Sequence, residues 1–216
     1  MIVKARVKQE QSTKYDIHLS NIDAIEGFKM IPDHSIDLIF TDPPYTKKTM
    51  YLYSLLAREA KRILKKGHYL FSYCGNYFLP DVLERFHAHL KYHWLIVEPH
   101  TGTHPIHWER RIVNGYKPIL MYSNGPPIYK CILPDMIKGG GKDKRFHKWG
   151  QHISLPLRII DKFTRKGDLV LDPFLGGGTT AQACKLLERK CRGFELDPES
   201  YQIAKDRILE PVLTEY

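Results

Sequence analysis

The stretch Leu169-Val170-Leu171-Asp172-Pro173-Phe174-Leu175-Gly176-Gly177-Gly178-Thr179-Thr180 decides the fold. Its apolar start reads as a short buried strand, its glycines as a turn, and residues 179–188 as a helix. Glycines in such a turn do what a side chain would obstruct. They allow a tight reversal, close approach of backbone to a ligand, and close packing of the helix that follows. Asp172 falls at the strand's carboxyl end, where open parallel sheets bind ligands. Twenty-three residues later, Gly193-Phe194-Glu195-Leu196-Asp197 ends the next predicted strand with an acid. A carboxylate there can accept hydrogen bonds from both hydroxyls of a ribose. The glycine spacing is not Gly-x-Gly-x-x-Gly, and no Gly-Lys-Ser/Thr follows, which argues against a nicotinamide fingerprint and a P-loop.

Outward from this unit, the pattern alternates between strand and helix. Strands are predicted at 15–22, 36–41, 69–73, 94–97, 116–122, 169–171 and 192–196. Helices are predicted at 24–30, 52–63 (with Gly67 as C-cap), 81–90, 155–163, 179–188 and 199–209. This alternation implies an α/β, doubly wound, mostly parallel sheet with helices on both faces. The first ten residues are expected to form a short strand or arm. The 216 residues are one domain by size. Two irregular segments, at about 98–115 and 125–151, interrupt the pattern.

Lys and Arg number 33 against 24 Asp and Glu, a net charge of +9, which favours a polyanionic partner. No apolar run approaches the ~18 residues of a membrane span, and the N-terminus lacks a signal-peptide core. Cys74, Cys131, Cys184 and Cys191 have no Cys-x-x-Cys spacing, and the 11 histidines are scattered, so no metal site is expected. These features predict a reduced, cytoplasmic protein.

A second punctuated strand is Ile36-Asp37-Leu38-Ile39-Phe40-Thr41, stopped by Asp42-Pro43-Pro44-Tyr45. Neither proline can donate to a sheet ladder. An amino group on an aromatic base is a poor nucleophile, because its lone pair is delocalised into the ring. Two acceptors out of the ring plane would draw that pair back onto nitrogen. Asp42 offers a carboxylate and Pro43 a backbone carbonyl, held rigid by the fixed φ of Pro43 and Pro44. Tyr45 offers a face for stacking a base that has left its duplex. Tyr51 and Tyr53 follow and suit either the base pocket or the core.

Asp42-Pro43-Pro44-Tyr45 ahead of Asp-Pro-Phe-x-Gly-x-Gly-Thr-Thr at 172–180 resembles the permuted, beta-class S-adenosylmethionine-dependent DNA amino-methyltransferases. The resemblance covers most of the chain. It implies a Rossmann-like methyltransferase fold with circularly permuted motif order, and Asp42, Pro43, Pro44 and Tyr45 as the catalytic turn. It implies S-adenosyl-L-methionine as cofactor, lined by Asp172, Phe174, Gly176 and Gly178. Thr179 and Thr180 would lie near its methionine part, Glu195 at its ribose and Asp23 at its adenine. Gly177 stands where the family usually has Ser. Asn21-Ile22-Asp23 lacks the glycine of the family's Gly-Asp motif. Gln151 keeps the first residue of a Gln-Lys-Pro motif whose other two are here His152 and Ile153, so Gln151 and Ser154 are the candidates at the methionine carboxylate.

Family members with Asp at the first position of the catalytic motif usually act on adenine N6, and those with Ser on cytosine N4. The resemblance therefore implies adenine N6 in DNA. Cytosine N4, an RNA adenine methyltransferase or a non-catalytic nucleic-acid-binding partner are the alternatives. Nucleic-acid contacts are expected from Arg110, Arg111 and Lys117 beside Trp108, and from Lys142, Lys144, Arg145 and Lys148. DNA is the expected partner, a homodimer is a compatible assembly, and neither membrane nor metal is expected. A prokaryotic or phage origin is implied, with or without a restriction partner.

Overall fold

The computed structural model describes residues 16–102, 104–128, 131–139 and 152–209. The expected arm at the N-terminus lies outside them. Elements are numbered along the chain: β1 (Ile17–Asn21), α1 (Ala24–Lys29), β2 (Ile36–Thr41), α2 (Tyr51–Ile63), β3 (Leu64–Tyr73), α3 (Leu79–His87), β4 (Lys91–Pro99), β5 (Ile106–His107), β6 (Ile112–Val113), β7 (Tyr116–Ser123), α4 (Ser154–Phe163), β8 (Leu169–Asp172), α5 (Thr179–Leu186), β9 (Lys190–Glu195) and α6 (Pro198–Leu209).

Seven strands form one sheet in the order β1-β9-β8-β2-β3-β7-β4. Neighbours from β1 to β3 pair in parallel, while β7 runs antiparallel to both β3 and β4. All six residues of β2 are buried, as expected where helices cover both faces of a parallel strand. On one face α4, α5 and α6 pack Ile159, Phe163, Ala183 and Ala204 against Leu38, Phe71 and Val170. On the other, α1, α2 and α3 pack Phe28, Leu56, Ala60 and Phe86 against Ile39, Leu70 and Leu171. Helix α2 buries Leu52, Leu56, Ala60 and Ile63, a period of three to four that makes one apolar stripe.

Gly67, expected as a helix cap, lies inside β3 instead. Helix α2 ends at Ile63 and β3 begins at once. The pairing of β2 with β3 jumps from Ile36↔Leu64 to Leu38↔Tyr69, an irregularity that absorbs the extra residues. At φ +76, Gly67 carries the positive backbone angle this needs, and a Cβ there would fall 2.8 Å from the Pro126 carbonyl. Segment 98–115, expected to be irregular, contains the small hairpin β5-β6. Among the described residues, no helix is long and apolar enough to cross a membrane.

Candidate active site

Strands β8 and β2 lie side by side, with Leu38↔Val170 and Ile39↔Leu171 in register. From β8 the chain crosses by α5 to β9, and from β2 it crosses by α2 to β3, on the other side. The two connections diverge here, so their carboxyl ends open one crevice. A side-chain bond closes its floor. Thr41 Oγ1 donates to Asp172 Oδ1 at 2.7 Å, and Phe174 N–H donates to the same oxygen at 3.2 Å. Asp172 is 3% exposed. Burial pushes its carboxyl up to about 6, against the hydrogen bonds from Thr180, Thr41 and the Phe174 amide and with the help of nearby Asp42. Its oxygens face the protein, so Asp172 shapes the turn from beneath.

The glycine turn has two different glycines. Gly176 sits at φ +51, and a Cβ built there meets nothing within 4 Å. Gly178 sits at φ +80, and its Cβ would fall 2.8 Å from that of Ala204 in α6. Gly176 thus leaves open space, whereas Gly178 permits close packing between the start of α5 and α6. Glu195 ends β9 with both carboxylate oxygens in use. Gly176 N–H donates to Oε2 at 2.6 Å and Asp197 N–H to Oε1 at 2.8 Å. These bonds fix the carboxylate at the rim, and each oxygen keeps a second lone pair. Asn21, opposite Glu195 in register, ties the strand end with its amide to the carbonyls of Glu195 and Leu196. Asp23 caps α1 by accepting from Ile25 N–H at 2.7 Å. The hydroxyls of the two threonines are engaged within the protein. Arg207, 1% exposed, donates to Thr179 Oγ1 at 2.7 Å, and Thr180 bonds Asp172. Ser154 begins α4, and its N–H donates to His152 Nδ1. Gln151 lies outside the described residues.

The Asp42–Tyr45 turn is clamped from three sides. Thr49 Oγ1 donates to the Pro44 carbonyl at 2.7 Å and accepts from Thr46 N–H at 3.0 Å. Tyr45, with part of its ring exposed, lies over Gly75, where a Cβ would approach Tyr45 Cδ2 to 2.9 Å. Tyr53 is fully buried, its hydroxyl donating to the Tyr73 carbonyl at 3.2 Å and lying 3.4 Å from the Pro43 carbonyl. It is a core residue that buttresses the turn, while Tyr51 is exposed.

Lys117 corrects its sequence reading. A phosphate contact is predicted for it, yet its ammonium points into the crevice and meets Asp42 Oδ2 at 2.6 Å, with a side chain only 19% exposed. Strand β7 runs against its neighbours, so its first residues arrive at the edge where the others end. Lys117 Nζ also stands 4.2 Å from the centre of the Tyr73 ring. Tyr73 in turn donates its hydroxyl to Glu98 Oε2 at 2.9 Å. Burial pushes the Glu98 carboxyl up, outweighing Tyr73 and Lys117. The tyrosine, glutamate and asparagine of this wall (Tyr73, Glu98 and Asn76) escaped sequence reading, since nothing in their spacing marks them.

Arg110 and Arg111 lie on the exposed β5-β6 hairpin. The Arg110 guanidinium rests 4.4 Å from the Tyr77 ring centre, and Trp108 is 78% exposed beside it. The hairpin is bolted to the crevice rim by Asn76, whose amide donates to Asn114 Oδ1 at 2.7 Å and to the Tyr116 carbonyl at 2.8 Å. Lys142, Lys144, Arg145 and Lys148 lie outside the described residues. Among the described residues, no group of three His, Cys, Asp or Glu side chains is placed to hold a metal ion.

Residues 36–206 match the DNA methylase family, a span that begins at β2 and includes both the Asp42 turn and the Gly176 turn. The chain belongs to this family. Similar proteins include the Type II methyltransferase M.BamHI of Bacillus amyloliquefaciens, 28% identical over 88% of this chain. The match spans 56% of M.BamHI's own length. Among solved structures, the cytosine-N4-specific PvuII DNA methyltransferase superposes with a TM-score of 0.81 at 18% identity, covering 94% of this chain and 89% of its own. M1.HpyAVI, solved as a complex with SAM, superposes with a TM-score of 0.73 at 25% identity, covering 90% of this chain and 100% of its own. Alternating strands and helices predict the mostly parallel α/β sheet, and the Rossmann-like methyltransferase fold implied by the resemblance is the one these structures share.

Proposed function

We propose that the chain transfers the methyl group of S-adenosylmethionine to the N6 amino group of adenine in DNA. The observation that carries this reading is the shared crevice. The Asp42 turn stands on one side and the Gly176 turn on the other, joined beneath by the Thr41–Asp172 hydrogen bond.

The residues fit the cofactor. Open space above Gly176 admits a ligand against the backbone, and the Glu195 carboxylate is held at the rim with lone pairs to spare for ribose hydroxyls. Phe174, Gly176, Glu195 and Asp23 would hold the nucleoside, with Ser154 at the start of α4 toward the methionine carboxylate. Thr179 and Thr180 serve by fixing the turn through Arg207 and Asp172. Bound there, S-adenosylmethionine supplies a methyl group already activated on a sulfonium.

The chain's own work is on the base. A flipped adenine stacks on Tyr45, and its amino protons are accepted by the Asp42 carboxylate and the Pro43 carbonyl. Acceptance out of the ring plane localises the nitrogen lone pair for attack. The carboxylate then passes the released amino proton to water. Thr49, Gly75 and Tyr53 hold these acceptors still, which is where positioning contributes to rate. Arg110 and Arg111 on the hairpin supply phosphate contacts along the rim.

The base is assigned from the acid at position 42. The likeness to the PvuII enzyme, at 18% identity, is one of fold and does not choose between adenine and cytosine. The test is to incubate the protein with unmethylated genomic DNA and methyl-labelled S-adenosylmethionine, then identify the labelled nucleoside by mass spectrometry. N6-methyladenine is expected. N4-methylcytosine would replace the base assignment, and label appearing only when RNA is supplied would replace the substrate. Cofactor binding with no transfer to either would favour a non-catalytic role.

A further inference from the structure

The ion pair between Lys117 and Asp42 is the least expected contact of the crevice. Its N···O distance is 2.6 Å, and the two side chains are 19% and 29% exposed. A lysine that contacts phosphate keeps its ammonium at the surface. This one lies 4.2 Å from the Tyr73 ring centre, hydrogen-bonds Tyr45, and is directed at the carboxylate that ends β2. In the sheet its backbone pairs with Glu98, yet the Glu98 carboxylate is taken by the Tyr73 hydroxyl. Burial lowers the amine's proton affinity, but Asp42 and Tyr45 outweigh it and hold Lys117 above the ordinary lysine range. It is therefore a cation at neutral pH.

We propose that Lys117 is a positioning residue of the methyl-transfer site, holding the Asp42 carboxylate in the orientation that the amino group of the base requires. The proposal rests on the methyltransferase reading above. The chemistry requires an acceptor at Asp42, since a protonated carboxyl would donate to the amino group instead. A cation in contact resists rotation of the carboxylate. The cost is a weaker acceptor, and it is tolerable because one carboxylate oxygen accepts from Lys117 and a second donor together.

Several titratable groups face Asp42. Tyr45 in the same turn, Tyr53 on α2, and Tyr73 and Cys74 on or after β3 are all raised, so they stay neutral through the acidic range. Glu98 on β4 and Asp172 on β8 are the two that ionise there, and both are raised by burial first.

The experiment compares wild type with Lys117→Met, Lys117→Gln and Lys117→Arg. It measures kcat and KM for methyl transfer to unmethylated genomic DNA, and S-adenosylmethionine binding by calorimetry. Loss of the cation is expected to lower turnover about a hundredfold. The loss should fall on kcat, with KM for DNA within about twofold. Cofactor affinity should stay within about twofold, and Lys117→Arg should restore most of the rate. Near-wild-type turnover in the neutral variants would overturn the proposal, as would a loss carried by KM with kcat unmoved. A fall in DNA affinity with a shallower salt slope and unchanged turnover would also overturn it, returning Lys117 to the phosphates. Should Lys117→Met fail to fold, Lys117→Gln carries the comparison. A wild type that transfers no methyl group would remove the methyltransferase reading itself, a different failure visible before any variant is made.

Discussion

Asp172 carries a charge that its surroundings resist. Burial raises its folded carboxyl to about 6, above the ordinary value of 3.8. Between those two values the folded protein keeps a proton that the unfolded chain has shed. Stability from this group therefore falls as pH rises through that window, and the whole cost, on the order of 2–3 kcal/mol, is present above it. Asp172→Asn should raise the melting temperature at pH 7.5 and change it little near pH 4. Calorimetry that found parallel melting curves across this range would argue against a buried anion there. Asp42 is the contrasting acid, half-buried and paired with Lys117. Asp42→Ala should abolish methyl transfer while leaving S-adenosylmethionine affinity nearly unchanged, because the glycines and Glu195 hold the cofactor. Residual turnover near wild type would take Asp42 out of the mechanism.

At the level of elements, the strand-turn-helix from β8 to α5 separates two uses of glycine. Gly176→Val puts a branched side chain into open space at φ +51. It should cost stability only by the left-handed backbone, about 1–2 kcal/mol, while weakening cofactor binding at least tenfold by titration. Gly178→Val drives Cβ to within 2.9 Å of the Ala204 backbone in α6. It should destabilise the fold by more than its neighbour does, with the melting temperature as the readout. If the two variants behaved alike, the division between a ligand face and a packing face would be wrong. The β5-β6 hairpin, which carries the proposed phosphate contacts, is small and exposed but tied to the rim through Asn76.

For the whole molecule, a charge of +9 makes binding to DNA an ion-exchange reaction. Changing Lys142, Lys144, Arg145 and Lys148 to Ala should lower affinity for every duplex sequence and flatten the log–log salt slope, by ~0.9 for each phosphate that is no longer neutralised. Cofactor binding should be spared. An unchanged slope in a filter-binding or polarisation assay would assign the phosphates to Arg110 and Arg111 on the hairpin instead. The four residues of the basic cluster are proposed from charge, and the two arginines from charge beside the Trp108 ring, both of which a sequence reports directly.

What the sequence determined was whatever depends on local periodicity and on fixed backbone chemistry. The burial period of α2, the continuous apolar run of β2, the proline stop after Thr41 and the glycines before α5 follow from side-chain spacing and allowed φ, and they located both turns. What only the tertiary structure decided was which distant residues meet. Gly67 read as a helix cap because a glycine after a helical stripe usually is one, but a strand irregularity and the Pro126 segment needed the same positive φ. Lys117 read as a phosphate contact because a basic residue beside an irregular loop usually is one. The reversal of β7 carried it instead to the edge where the parallel strands end, 75 residues along the chain from the carboxylate it meets. Strand direction is set by the packing of the whole sheet, and no local pattern encodes it.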